Sequence, residues 1–377
     1  MSSSIAAQQP GGRLARLRRF LPSDPTNLTL LADAASAAFE EGEPREAGDN
    51  LARYEALSPL PAALVNLRGL AALAGGDVEV ARGAFAQLID GAPGDPGLRF
   101  NLAWCDALLG DDGGALQRLD DETVLALPQA ALLKVHALHR QGRLEDALAF
   151  GGGRVAEGPV EARLLGALSS VAIDAEDAEQ AKAWANLARG NDEAEATLGM
   201  LALGDDQSGQ ARAHFAAALS ANPQNARALL GEGLALVSEG RPGDGLAALD
   251  RAADLFKTHL GTWIAAGWAA FAVSDFAGAR RRFEHCLALD DTFAESHGAL
   301  AVLDFMAGDV EKAQHGADVA LRLDRASYAG ALAKSLLLSA SGDARSAERI
   351  RDIAFNAPVG PGGKTLAQAL AALKPRR

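Results

Sequence analysis

Nine alanines recur along this chain at near-constant intervals: Ala47, Ala81, Ala115, Ala147, Ala181, Ala211, Ala279, Ala313 and Ala347, with Gly245 in the one remaining slot. The steps are 34, 34, 32, 34, 30, 34, 34, 34 and 34 residues. Alanine is about 22% of the chain, so nine hits in ten fixed slots is not an accident of composition. A period of this size builds a solenoid of small units, each burying its apolar face against its neighbours. It also solves a size problem, because 377 residues is more than one hydrophobic core comfortably serves.

The ladder has companions in phase. Five residues before each rung lies a turn position: Gly42, Gly76, Gly110, Gly142, Glu176, Asp206, Gly240, Ser274, Gly308 and Gly342. Glycine there ends a helix in the left-handed conformation. An aspartate often follows, as in Gly76-Asp77 and Gly308-Asp309, and starts the next helix. Seven residues before the turn the chain is small at Ala35, Gly69, Ala103, Ser169, Gly199, Gly233, Gly267, Ala301 and Ser335, with Val135 the exception. A small residue opposite the rung lets two antiparallel helices approach closely. Four residues after the rung come Leu51, Phe85, Leu119, Phe215, Leu249 and Phe283, on the rung's own helix face. Pro59, Pro93, Pro159 and Pro223 lie twelve after the rung, where proline stops the second helix. The chain is 49% hydrophobic but only 5% aromatic, and rich in the strong helix formers alanine and leucine. An all-α protein follows.

This pattern resembles the tetratricopeptide repeat, a pair of antiparallel helices in about 34 residues. The resemblance covers residues 28–357. The best-matching unit runs from Pro61 to Asp95 and holds Gly69, Gly76-Asp77, Ala81, Phe85 and Pro93. The eighth has Trp263, Gly267, Ala279 and Phe283. The resemblance implies a right-handed α-α superhelix of about ten helix pairs. The expected organisation is a polar, basic extension at 1–25, the repeat array at 26–357, and a loop with a capping helix at 358–377. Thr365–Leu373 reads as that cap, with Leu366, Leu370 and Leu373 on one face. Two departures stand out. Gly151-Gly152-Gly153 replaces a bulky knob, which predicts a short or broken second helix in the fourth unit. The fifth unit lacks both turn glycine and closing proline, so residues 142–206 are the least regular part and a possible kink.

Charge and targeting narrow the function classes. The net charge of −13 argues against nucleic acid, whose binding rests on neutralising phosphates with Lys and Arg. Residues 1–23 run against this balance, with Arg13, Arg16, Arg18 and Arg19 and no acid. These read as a short basic helix over Arg13–Leu21, either solvated or touching an acidic partner. No run reaches the length of a membrane span. The start has no apolar stretch of a secretory signal. Cys105 and Cys286 read as reduced, buried thiols, and a cytoplasmic location is expected.

Motifs of chemistry are mostly absent. Gly360-Pro361-Gly362-Gly363-Lys364-Thr365 ends like a phosphate loop, but Pro358 stands where the first glycine is required. His136 and His139 share a helix face without a third ligand, a poor metal site. His285 and Cys286 are adjacent and point apart, so they form no nucleophile–base pair. His297 reads as core. No cofactor, metal or catalysis is expected.

The groove is the stronger candidate. The family's first helices line a concave surface, exposed at positions thirteen, ten, six and three before the turn. Those positions imply groove residues Phe100, Trp104, Met200, Leu234, Ile264, Trp268, Phe271, Val302 and Phe305, with Leu70 in a similar place. A family subset grips a C-terminal carboxylate with Lys, Asn and Arg; here only Asn66, Asn101, Arg163 and Arg227 are polar candidates, so such a clamp is not expected. The resulting expectation is a non-catalytic scaffold or adaptor that holds a protein partner's peptide or helix in an apolar groove. The alternative is a receptor for a small molecule or signal peptide, suited by the irregular centre.

Overall fold

The computed structural model of the chain describes residues 12–356. The candidate capping helix Thr365–Leu373 and the Gly360–Thr365 motif lie outside them. The described residues are α-helical throughout, with no strand among them. The chain divides into two compact units, residues 1–157 and 158–377.

The first unit opens with α1 (Arg13–Phe20). Hairpins follow: α2 (Leu28–Glu40) with α3 (Pro44–Glu55), α4 (Ala62–Gly75) with α5 (Val78–Ile89), and α6 (Pro96–Leu108) with α7 (Asp112–Arg118). A short α8 (Asp121–Ala126) precedes α9 (Pro128–Arg140) and α10 (Leu144–Glu157). The second unit repeats the hairpin: α11 (Ala162–Asp174) with α12 (Ala178–Leu187), α13 (Asp192–Gly204) with α14 (Ser208–Ala221), and α15 (Ala226–Ser238) with α16 (Pro242–Phe256). It continues through α17 (Leu260–Ala272) with α18 (Phe276–Leu289), α19 (Ala294–Met306) with α20 (Val310–Leu323), and α21 (Tyr328–Ala340) with α22 (Ala344–Asn356).

Every turn position is left-handed. Seven glycines there have φ from 70° to 90°, and Glu176, Asp206 and Ser274 adopt φ of 63°, 60° and 65°. The turn is therefore dictated by the hairpin, and non-glycine residues accept the strained conformation where the sequence supplies no glycine. The rung alanines are all buried, at 2% exposure or less.

Close approach within four of the hairpins comes from size complementarity at a sixteen-residue spacing. A Cβ added to Gly69 would stand 2.6 Å from the Phe85 ring, and one added to Gly233 would stand 2.6 Å from Leu249. Gly199 faces Phe215 and Gly267 faces Phe283 in the same way. The fourth hairpin inverts the pair: Val135 is fully buried, and its counterpart sixteen residues on is the buried Gly151. This also corrects the expectation of a broken helix. α10 runs unbroken through Gly151-Gly152-Gly153, because packing against α9 outweighs a propensity cost of about 1 kcal/mol per glycine.

The third hairpin differs in the other direction. The spacing from Ala115 places Leu119 on the rung's own helix, but α7 stops at Arg118. Leu119 still supplies its buried side chain, at 1% exposure. Asp120 then accepts the Thr123 N–H at 2.9 Å and starts α8. The 30-residue step has an equally local cause: α12 ends early, and Gly190 takes φ of 86°.

Neighbouring hairpins are tied by arginines that directly follow a rung. Arg82 Nε donates to the fully buried Asp106 at 2.5 Å, whose other oxygen accepts from Arg118 Nε of its own hairpin at 2.6 Å. Arg280 donates to Asp304, at the same repeat position, at 2.5 Å. At the N-terminus, α1 inserts Leu14 among Ala37, Ala38 and Ala47. Arg13 pairs with Asp33 and Glu40, and Arg18 with Glu46. Two of the four N-terminal arginines thus serve the chain itself.

Gly69→Ala is expected to destabilise the chain by about 1–3 kcal/mol, the usual cost of overpacking, and Phe85→Leu in the same chain should recover much of the loss. Urea unfolding followed by circular dichroism measures both; a neutral Gly69→Ala would show that this contact does not limit the hairpin.

Candidate functional site

Positions ten, six and three before the turn fall at i, i+4 and i+7 of each first helix, so they share one face. In the first unit α6 presents Phe100 and Trp104, with ring centroids 6.2 Å apart. Trp104 is 40% exposed; Phe100 is half-buried. Leu70 packs partly against the Phe85 core.

In the second unit α17 carries Ile264, Trp268 and Phe271 and no charged residue over its whole length. Trp268 lies 5.3 Å from Phe283 beneath it and 5.4 Å, edge-on, from Phe271. Phe271 in turn lies 5.3 Å from Phe276. Leu234, Ile264, Trp268, Phe271 and Phe305 are all half-buried. Each packs one side against the core between hairpins and leaves the other outward. Val302 does not belong to the surface: it is 2% exposed, packed with Ala313, Ala317 and Leu337. Its β-branched side chain is short enough to sink between α19 and α20, whereas Phe305 one turn on cannot.

The face is closed at the start of this unit. Nine consecutive residues of α11, Leu164 to Ala172, are buried, and so are Ala194 to Gly199 on α13. Gly166, Ser170 and Ala196 therefore offer nothing to a partner, and Met200 is half-buried against the Phe215 cluster. The buried hydroxyls are engaged locally: Ser169 Oγ donates to Gly166 O at 2.7 Å, which leaves it to accept from Thr197 Oγ1 at 3.1 Å. Glu195, 6% exposed, accepts the Gly190 N–H at 3.0 Å and meets His214 Nδ1 at 2.7 Å. Asp174 at the end of α11 grips Arg227 on α15 through two contacts of 2.9 and 2.6 Å. Arg227, the sequence candidate for a carboxylate, is thus held by the chain's own carboxylate. Burial, then Arg227, pushes the nearby His259 below the usual histidine range. Its Nδ1 caps α17 by accepting the Thr262 N–H.

The turn edge bordering this face escaped sequence reasoning. Val273 and Phe276 flank one turn, at 41% and 42% exposure; Met306 and Val310 flank the next, at 51% and 55%. In the first unit Leu108 and Leu109 do the same. The available signal was an apolar residue beside several of the turns, hidden by a repeat register that treats turns as connectors. Aspartates stand among them: Asp77, Asp111, Asp275 and Asp309 each accept a backbone N–H at the start of the second helix. The Lys312 ammonium, with the Lys312 backbone N–H, holds Asp309 below the usual carboxylate range.

The remaining candidates carry no reactive geometry. Burial pushes the Cys105 and Cys286 thiols up to about 11, so both stay protonated at neutral pH. His285 stacks on Trp263, 4.3 Å between centroids. His297 Nε2 lies 2.7 Å from Asp291 O, and its ring is half-buried rather than core. Among the described residues no group of three or more His, Cys, Asp or Glu is placed to hold a metal, and no helix is long and apolar enough to cross a membrane.

Burial alone would raise the Glu195 pKa, but the hydrogen bonds from His214 and the Gly190 N–H outweigh it and hold the carboxyl below its ordinary value. A depressed folded pKa contributes stability above the unfolded pKa that is lost as pH falls through the folded one. Glu195→Gln should therefore destabilise the chain at neutral pH, and the difference from the parent should shrink under acid. Thermal melts at several pH values test this; a pH-independent difference would show that the charge plays no part.

Comparison with known proteins adds the following. The family described as Tetratricopeptide repeat matches residues 32–96 and 197–258. Two solved structures are similar to the chain: "Crystal structure of MamA", at 19% identity and TM-score 0.35, covering 42% of this chain and 92% of that one; and "Crystal structure of MamA protein", at 18% identity and TM-score 0.35, covering 43% and 88%. No curated protein matches.

Proposed function

We propose that this chain, a tetratricopeptide repeat protein, is a scaffold without catalysis of its own that receives a partner's helix or extended peptide on the apolar face of its first helices. Repeats of this family mediate protein–protein interaction. The observation that carries the reading is the outward aromatic set: Trp104 with Phe100 on α6, and Trp268 with Phe271 on the charge-free α17. Aromatic side chains dominate binding hot spots, since they bury large area at low cost in conformational entropy. Stacked hairpins are stiff because each contacts only its neighbours, so a bound partner is held in a fixed arrangement. The two unpaired thiols suit a reducing compartment, and we place the protein in the cytoplasm.

A receptor for a small molecule has less support. Its natural seat is the irregular stretch at α11 and α13, whose hydroxyls and carboxylates are already engaged with one another.

The double variant Trp104→Ala with Trp268→Ala should abolish partner capture while far-ultraviolet circular dichroism stays unchanged. Proximity labelling read by mass spectrometry names the partners of the parent chain and follows their loss. Each truncation at a hot spot costs about 2 kcal/mol or more, or about thirtyfold in affinity. Undiminished capture by the double variant would sink the groove reading.

A further inference from the structure

We infer that the chain carries two separate docking platforms, one on each compact unit, each fitted to a basic amphipathic helix, so that one chain holds two such segments at once. This rests on the scaffold reading above and goes beyond it in number, extent and chemistry.

Separateness follows from burial. A continuous track needs outward apolar residues on every first helix in turn. At the start of the second unit α13 leaves Met200 and Leu203 half-buried, but on α11 the outward Gly166 and Ser170 are buried and only Ile173 is half-buried. α11 has nine consecutive buried residues and no open face. The second platform therefore begins beyond them. It is centred on α17, where Trp268, Phe271 and Phe276 form a chain of ring contacts from the first-helix face out to the turn edge. The exposed Val273, Met306 and Val310 extend it along that edge. The first platform is the Phe100–Trp104 pair, extended by Leu108 and Leu109 at 53% and 42% exposure. Contiguous exposed apolar area of this kind marks an interaction site.

The chemistry of the occupant follows from the charges around each platform. Asp111 stands two residues from Leu109 of the first; Asp275 is adjacent in sequence to Phe276 and Asp309 to Val310 of the second. Cations close by are already committed. Arg82 and Arg118 are held by Asp106, Arg280 by Asp304, and Lys312 by Asp309. Asp111 and Asp275 each spend one oxygen on a backbone N–H and have room for further donors, whereas Lys312 engages both oxygens of Asp309. The chain as a whole carries −13. A helix with an apolar stripe and flanking lysines or arginines meets apolar rings along its stripe and unfilled acceptors at its edges. An acidic helix meets repulsion at both platforms.

The test is a titration of the full chain, at physiological salt, with a fluorescein-labelled leucine/lysine amphipathic model helix. Its leucine/glutamate counterpart is the control. Two equivalents of the basic helix should bind. Trp104→Ala should weaken one site by at least tenfold and leave the other. Phe276→Ser, at a side chain already 42% exposed, should do the reverse, and both variants should keep the parent's melting curve. A single equivalent that either variant removes would overturn the two-platform inference while leaving the groove reading intact. Equal binding of the leucine/glutamate helix would overturn the charge assignment. Binding of two equivalents that neither variant affects would overturn the platforms and the groove reading together.

Discussion

The structure depends on one contact that recurs in four hairpins: a large side chain on the second helix seated on a glycine sixteen positions earlier on the first. Phe85 on Gly69, Phe215 on Gly199, Leu249 on Gly233 and Phe283 on Gly267 are the same contact repeated. It fixes how closely the two helices approach, and hence where the rung alanines meet the facing backbone. Where one member is large the other is small, since interiors are packed to near-crystalline density. The fourth hairpin demonstrates this by exchange, with Val135 large and Gly151 small.

From that contact the rest of the surface follows. Once the rung, knob and small position are committed inward, three positions of each first helix remain to face outward. In α17 and α6 they carry aromatic rings left half-open or exposed; in α11 Gly166 and Ser170 are small and covered. Function is therefore unevenly spread over a scaffold whose period is regular. The arginines after the rungs tie hairpins together through Asp106 and Asp304, and so use up positive charge that would otherwise offset the acidic turn edge.

Much of this was legible in the amino-acid order. The ten turn positions, the buried rungs, the hairpin pattern and the outward placing of Trp104 and Trp268 are local or periodic properties, and a period repeats its own evidence. The misses share a cause. Gly151-Gly152-Gly153 argues for a broken helix only while its neighbour Val135 is ignored. Val302 and Phe305 occupy equivalent kinds of position, and depth is decided by side-chain length against α20 rather than by register. Leu119 looked like a mid-helix knob; Asp120 ended that helix by capping α8, yet the leucine kept its buried place.

By itself the sequence determined an all-helical repeat protein, its phase, its turns and the residues able to form an apolar face, because helix periodicity and glycine stereochemistry act within a few residues. Only the tertiary structure decided which part of that face is open. The covering of α11, the Asp174–Arg227 pair joining residues 53 apart in sequence and the aromatic chain from Trp268 to Phe276 depend on how hairpins pack against one another. That packing is set by the summed volumes of side chains distant in sequence, which no single repeat encodes.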